Sequence, residues 1–115
     1  METIIYQHYE WDREKAKLNK IKHGVSIKTA TAVFDDQNRL DLPDDEHSFD
    51  ETRRKVIGKV DDILFVIYTE RRERFRIISA RVAEEDERRD YYEYGGKFGI
   101  LHEESGRTVD GGGES

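Results

Sequence analysis

With 115 residues, 35% of them hydrophobic and 40% charged, the chain has room for one compact domain whose small core lies under an ion-dense surface. The absence of cysteine excludes a disulfide framework, a thiol nucleophile and any thiolate metal site, and no segment approaches the roughly 20 apolar residues of a membrane span, so a soluble cytoplasmic protein is expected. A formal net charge of −6 argues, taken whole, against a nucleic-acid binder, yet that average hides a sorted distribution.

In chain order, Asp12 is a good N-cap for a helix that runs to His23 and ends at Gly24, with Leu18 and Ile21 as a narrow apolar stripe and Ala16 beside them. Ser26 caps a second, short helix carrying Ile27, Ala30, Val33 and Phe34 at helical spacing. Residues 40–42 suit a short strand, cut off by Pro43 and an acidic loop over 44–47. Residues 53–60 read as an edge strand, with Val56 and Gly58 on one face and Ile57 on the other. Asp61 and Asp62 supply a turn. The apolar run 63–69 predicts a central strand covered on both faces, and 74–81 its hairpin partner. Residues 84–94 predict a helix with Tyr91 and Tyr92 available for packing, after which the composition turns to glycine. The expectation is an α+β domain over 1–94 and a mobile tail over 95–115. The domain would hold an N-terminal helical hairpin, three to four antiparallel strands and a C-terminal helix, with one sheet face left open.

The charges follow the elements. Arg13, Lys15, Lys17, Lys20, Lys22 and Lys28 face one acid, Glu14, whereas the region from Asp35 to Glu51 is acidic against Arg39 alone. Arg53, Arg54, Lys55 and Lys59 form a second basic cluster and the arginines of the 63–81 hairpin a third. Folded together, these segments would make a positive patch on an acidic protein.

Tyr9-Glu10-Trp11-Asp12, followed by Lys15, Asn19 and Lys22-His23-Gly24-Val25-Ser26, is one motif. Glu51 and Arg53 ahead of Ile57-Gly58 are another. Val66 to Arg71 and Arg76 to Arg81 follow, with Glu87-Arg88 and Tyr92 behind them. Over residues 7–94 this pattern closely resembles the BrnT toxins. The resemblance implies a RelE-like fold and the toxin half of a type II toxin-antitoxin pair, a ribonuclease that arrests growth. It also implies a BrnA-like ribbon-helix-helix antitoxin as partner, through which alone operator DNA is met. The chain departs from the pattern in its tail and at Arg54, where family members often carry an apolar residue.

Metal-free RNA cleavage needs a base for the 2′-hydroxyl, an acid for the leaving oxygen and cations for the charge on the phosphoryl group. No cofactor or metal is called for, and the loop Asp44-Asp45-Glu46-His47 reads as a solvated acidic loop rather than an ion site. Lys22 and His23 suit a helix C-terminus as cations; with the resemblance, His23 becomes a candidate proton carrier or phosphate donor. Strand alternation groups Arg81 with Phe75, Ile77 and Ser79, and sets Arg74 and Arg76 on the opposite face with Ile78 and Ala80. Arg53, Arg71 and Arg81 are read as one phosphate-binding group. The plainer readings are an ion pair of Arg81 with Glu84 or Glu85 and a solvated edge charge at Arg53. Arg74 and Arg76 are solvated charges or nonspecific RNA contacts. Tyr68 and Tyr92 are packing residues or platforms for an unstacked base, and Trp11 belongs to the core.

Overall fold

Residues 3–12 form a β-hairpin not expected from the sequence. β1 (Thr3–Tyr6) and β2 (Tyr9–Asp12) pair antiparallel, Tyr6 against Tyr9, across a turn in which Gln7 takes a left-handed φ of 56°. The computed structural model describes residues 2–48 and 51–96. Four-residue strands show too little alternation to be told from an extended tail. The chain continues as α1 (Arg13–His23), α2 (Ile27–Ala30) with a 3-10 turn (Thr31–Asp35), and β3 (Leu40–Pro43). A 3-10 turn over Asp45–His47 precedes β4 (Arg54–Val60), β5 (Asp62–Arg71), β6 (Arg74–Val82) and α3 (Glu85–Tyr94).

The caps act as expected. Asp12 accepts the Lys15 N–H at 2.9 Å, Ser26 Oγ accepts the Thr29 N–H at 3.3 Å, and Gly24, at φ 73°, donates its N–H to Lys20. Glu84 and Glu87 close a reciprocal capping box at the start of α3.

The sheet has six strands in the order β1-β2-β6-β5-β4-β3, all antiparallel except β2 beside β6. The expected RelE-like plan with three to four antiparallel strands and an N-terminal helical hairpin is therefore corrected. A strand pair precedes the helices, the sheet is mixed, and β4 lies inside it with β3 as the edge. The expected tail lies outside the described residues apart from Gly95 and Gly96.

The two faces of the sheet carry separate cores. On one, α1, α2 and the 3-10 turn cover Trp11, Val56, Leu64, Val66, Tyr68, Ile77 and Ala80. Gly58 is required there, because a Cβ would lie 3.0 Å from that of Val33, where the 3-10 turn rests on β4. On the other face α3 closes over Leu40, Ile57, Ile63, Phe65 and Ile67 through Tyr91, whose hydroxyl donates to Asp36 at 2.5 Å. The second face is thus half covered rather than open.

The apolar stripe expected of α1 points the wrong way: Leu18 and Ile21 are 63% and 81% exposed, and Asn19 is the residue turned to the sheet. Asn19 Nδ2 donates to the carbonyls of Val25 (3.1 Å) and Ala80 (2.9 Å), and its Oδ1 accepts the Ala80 N–H (3.1 Å). β2 leaves β6 after Arg76, so the backbone of Ala80 needs a partner, and a polar side chain outcompetes leucine for that position.

Candidate functional site

A bulge in β6 decides where the arginines point. Ile67 pairs with Ser79 but Tyr68 pairs with Ile77, so β6 holds one residue more than β5 at that level. Ile77 and Ala80 consequently share the helical face, although unbroken alternation would separate them. Arg81, opposite Phe65, then falls on the α3 face together with Arg76, opposite Thr69, and Arg74, opposite Arg71. The expected division of the hairpin, with Arg81 beside Phe75 and Ile77 and away from Arg74 and Arg76, is corrected by that extra residue.

The four arginines nonetheless form two centres. Arg71 lies six residues beyond the partner of Arg81 along β5, a span of about 20 Å at the rise of a strand, so one group made of Arg53, Arg71 and Arg81 is not formed.

At the hairpin end, Arg71 makes a two-pronged bond to Glu51, Nε at 3.2 Å and Nη2 at 3.0 Å. The Thr69 hydroxyl, then the Arg71 fork and the charge of Arg53, hold the Glu51 carboxyl below the usual carboxylate range. Arg53 and Arg71 thus both act on Glu51, Arg71 through a bidentate bond and Arg53 through its charge alone. Arg74 stands directly across from Arg71, a like-charge pair that costs stability unless an anion offsets it, and its buried Nε has no hydrogen-bond partner among the described residues. Arg76 is no solvated charge: it bonds Glu10, its register neighbour on β2, at 2.7 Å, with 14% and 17% of the two side chains exposed.

At the other centre, Arg81 lies over the Phe65 ring, 4.2 Å from its centroid, and bonds Glu87 through Nη1 and Nη2 at 2.9 Å each. The plainer reading of Arg81 named Glu84 or Glu85; the acid is Glu87, one helical turn further on. Its hydrogen bonds and charge raise the Arg81 pKa above the ordinary arginine value. Burial opposes ionisation of Glu87, yet Arg81 and the Glu84 N–H hold its carboxyl below the usual range. One Nη1 hydrogen goes on to the Val82 carbonyl at 3.3 Å. Glu87 occupies the end-on fork, and the side-on fork of Nε and Nη2 is left without a partner among the described residues.

Lys22 and His23 close α1, Lys22 exposed and His23 half-buried, and neither forms a hydrogen bond or ion pair with the arginines among the described residues. Their placement comes from Asn19, a motif residue whose burial has no signal in the local helical pattern. Asn19 pins α1 to Ala80, the residue before Arg81, and His23 stands one turn further along the same side of the helix.

The two tyrosines separate. Tyr68 is 1% exposed, packed at 4.9 Å from both Phe34 and Phe75, and donates its hydroxyl to Asp41 at 2.6 Å, so no ring face is open to a base. Burial, then that bond, raises its pKa. Arg54, the departure from the motif, donates to the same Asp41 at 3.0 Å, which gives the unusual cation an internal partner. Tyr92 is 62% exposed and meets Tyr91 edge to face. Among the described residues no cluster of His, Asp or Glu could hold a metal ion, and no helix is long and apolar enough to cross a membrane.

A crystal structure of the ribonuclease toxin BrnT from Brucella abortus is similar in fold, with a TM-score of 0.52 at 22% identity over 65% of this chain and 94% of that one. No curated protein matches the chain. The model of a family described as the ribonuclease toxin BrnT of type II toxin-antitoxin systems matches residues 11–87. That span includes the capped helix, Asn19, both arginine centres and Glu87, and the chain belongs to the BrnT toxin family.

Proposed function

We propose that the chain is a metal-independent endoribonuclease toxin that cuts RNA by attack of the 2′-hydroxyl on the adjacent phosphorus, and that its active corner lies at the edge of β6 beyond Arg76, with α1 held to that edge at Ala80 and Arg81 turned toward α3. The observation carrying this reading is the Asn19–Ala80 anchor, which ties the helix bearing Lys22 and His23 to the strand position next to Arg81. Arg81, with its end-on fork fixed by Glu87, offers Nε and Nη2 to the scissile phosphate, where charge builds in the transition state. His23 carries the proton to or from a substrate oxygen, and Lys22 adds a second cation. Arg71 and Arg74, with Arg53, hold the backbone about 20 Å along the same sheet face. Arg76 supports that track from its pair with Glu10, and Tyr92 is the exposed ring available to an unstacked base.

The domain is taken to run through Tyr94, to act in the cytoplasm without a cofactor and to be neutralised by a BrnA-like ribbon-helix-helix antitoxin that carries the operator-binding function. One observation favours a second reading. Glu51, Glu10 and Glu87 already neutralise three of the arginines, as suits a catalytically weak module kept for antitoxin binding and operon control.

Incubating the purified full chain with RNA in excess chelator separates the two. The toxin reading expects cleavage that leaves 2′,3′-cyclic phosphate ends and a large loss in His23→Gln. Intact RNA at every protein concentration supports the inactive module, and an undiminished rate in His23→Gln removes that residue from the mechanism.

A further inference from the structure

The outer side of α1 carries a surface that the RNA reading does not use. Leu18 and Ile21 sit one turn apart, 63% and 81% exposed. Beside them runs a groove of about 680 Å³ with Trp11, Ala16 and Ile27 on its floor and Lys17, Lys20 and Lys28 at its rim. Helical periodicity places Lys15 and Lys22 along one flank of the Leu18–Ile21 ridge and Lys17 and Lys20 along the other. Lys17 has a loose pairing with Glu14 at 3.7 Å, and Lys15, Lys20 and Lys22 have no ion pair among the described residues.

An apolar ridge between two cationic flanks defines its occupant. A nucleic acid would use the lysines and gain nothing from exposed leucine and isoleucine. A second copy of this chain would set lysines against lysines. We propose that the α1 groove seats an amphipathic helix of the antitoxin, its apolar stripe on Leu18 and Ile21 and its acidic flanks against the lysines. This inference rests on the toxin reading and extends it. Lys22 flanks the same ridge, so a segment lying along α1 engages that cation directly, while His23 stays on the sheet-facing side of the helix outside the contact.

The test titrates the antitoxin of the same operon into the full chain and into the double variant Leu18→Glu/Ile21→Glu, by calorimetry at low and moderate salt. Both residues are exposed, so the variant should keep the melting temperature of the parent. The expected result is antitoxin binding weakened by on the order of 30-fold or more, with the parent's affinity falling as salt rises. Unchanged antitoxin binding by the variant overturns the proposal, as does a loss confined to RNA binding or to self-association of the free chain. If the parent chain itself binds no antitoxin, the toxin reading fails and this surface fails with it. Cleavage of RNA by a variant that escapes the antitoxin would separate the two surfaces completely.

Discussion

The two faces of the sheet solve opposite problems. The helical face is dry: Val33, Val56, Val66 and Tyr68 are at most 1% exposed, and Asn19 and Tyr68 turn their polar groups inward onto fixed partners, Ala80 and Asp41. The α3 face is apolar only where Tyr91 closes over Phe65 and Ile57, and beyond that it carries Arg71, Arg74, Arg76 and Arg81, each near a carboxylate or near another arginine. One face stores the stability and the other holds charge in readiness, and the β6 bulge is the device that keeps them distinct.

The comparison breaks most readily at Asn19. Asn19→Ala strands the N–H and C=O of Ala80 inside the protein and should cost about 3 kcal/mol in chemical denaturation, with the C-terminal end of α1 loosened from β6. A loss under 1 kcal/mol would show that the helix is held by its apolar contacts instead. Next in size is Glu87→Gln, about 1–2 kcal/mol, since it weakens a pair with 28% and 16% of its side chains exposed. The Glu87 carboxyl is held below its ordinary value, so its contribution is complete above an unfolded pKa of about 4.3 and vanishes as pH falls through the depressed native value. Melting curves of parent and variant should therefore converge with acidification below that range; a constant gap would remove the ionised pair from the account.

Tyr68→Phe should cost about 1 kcal/mol, because Asp41 keeps Arg54 when the phenol is gone. Loss of RNA binding in that variant, without loss of stability, would reopen Tyr68 as a contact. The smallest effect is expected at Arg74→Gln. It should raise stability slightly, by removing the like charge opposite Arg71, and reduce the salt dependence of RNA binding by about one phosphate contact. An unaltered slope would take the hairpin end out of the binding track.

Much of this was legible in the residues. Asp12, Ser26 and Gly24 announced the helices, the apolar run 63–69 announced the central strand, and the spaced motifs pointed to the family. What was hidden is long-range. A polar Asn19 is buried because a strand 61 positions away lacks a neighbour, and propensity assigns burial to Leu18 and Ile21 instead. A bulge leaves no mark in an otherwise alternating stretch, so the orientation of Arg81 relative to Arg74 and Arg76 could be read only from the pairing of β5 with β6. The parallel contact of β2 with β6 is likewise invisible in a four-residue strand.

The most direct measurement is the single-turnover rate of RNA cleavage by Arg81→Lys in chelator, beside the parent chain. Lysine keeps the charge but loses the fork that serves Glu87 and a phosphate at once, so a fall on the order of 100-fold is predicted with RNA affinity changed only a few-fold. A variant as fast as the parent would contradict the placement of the active corner at Arg81.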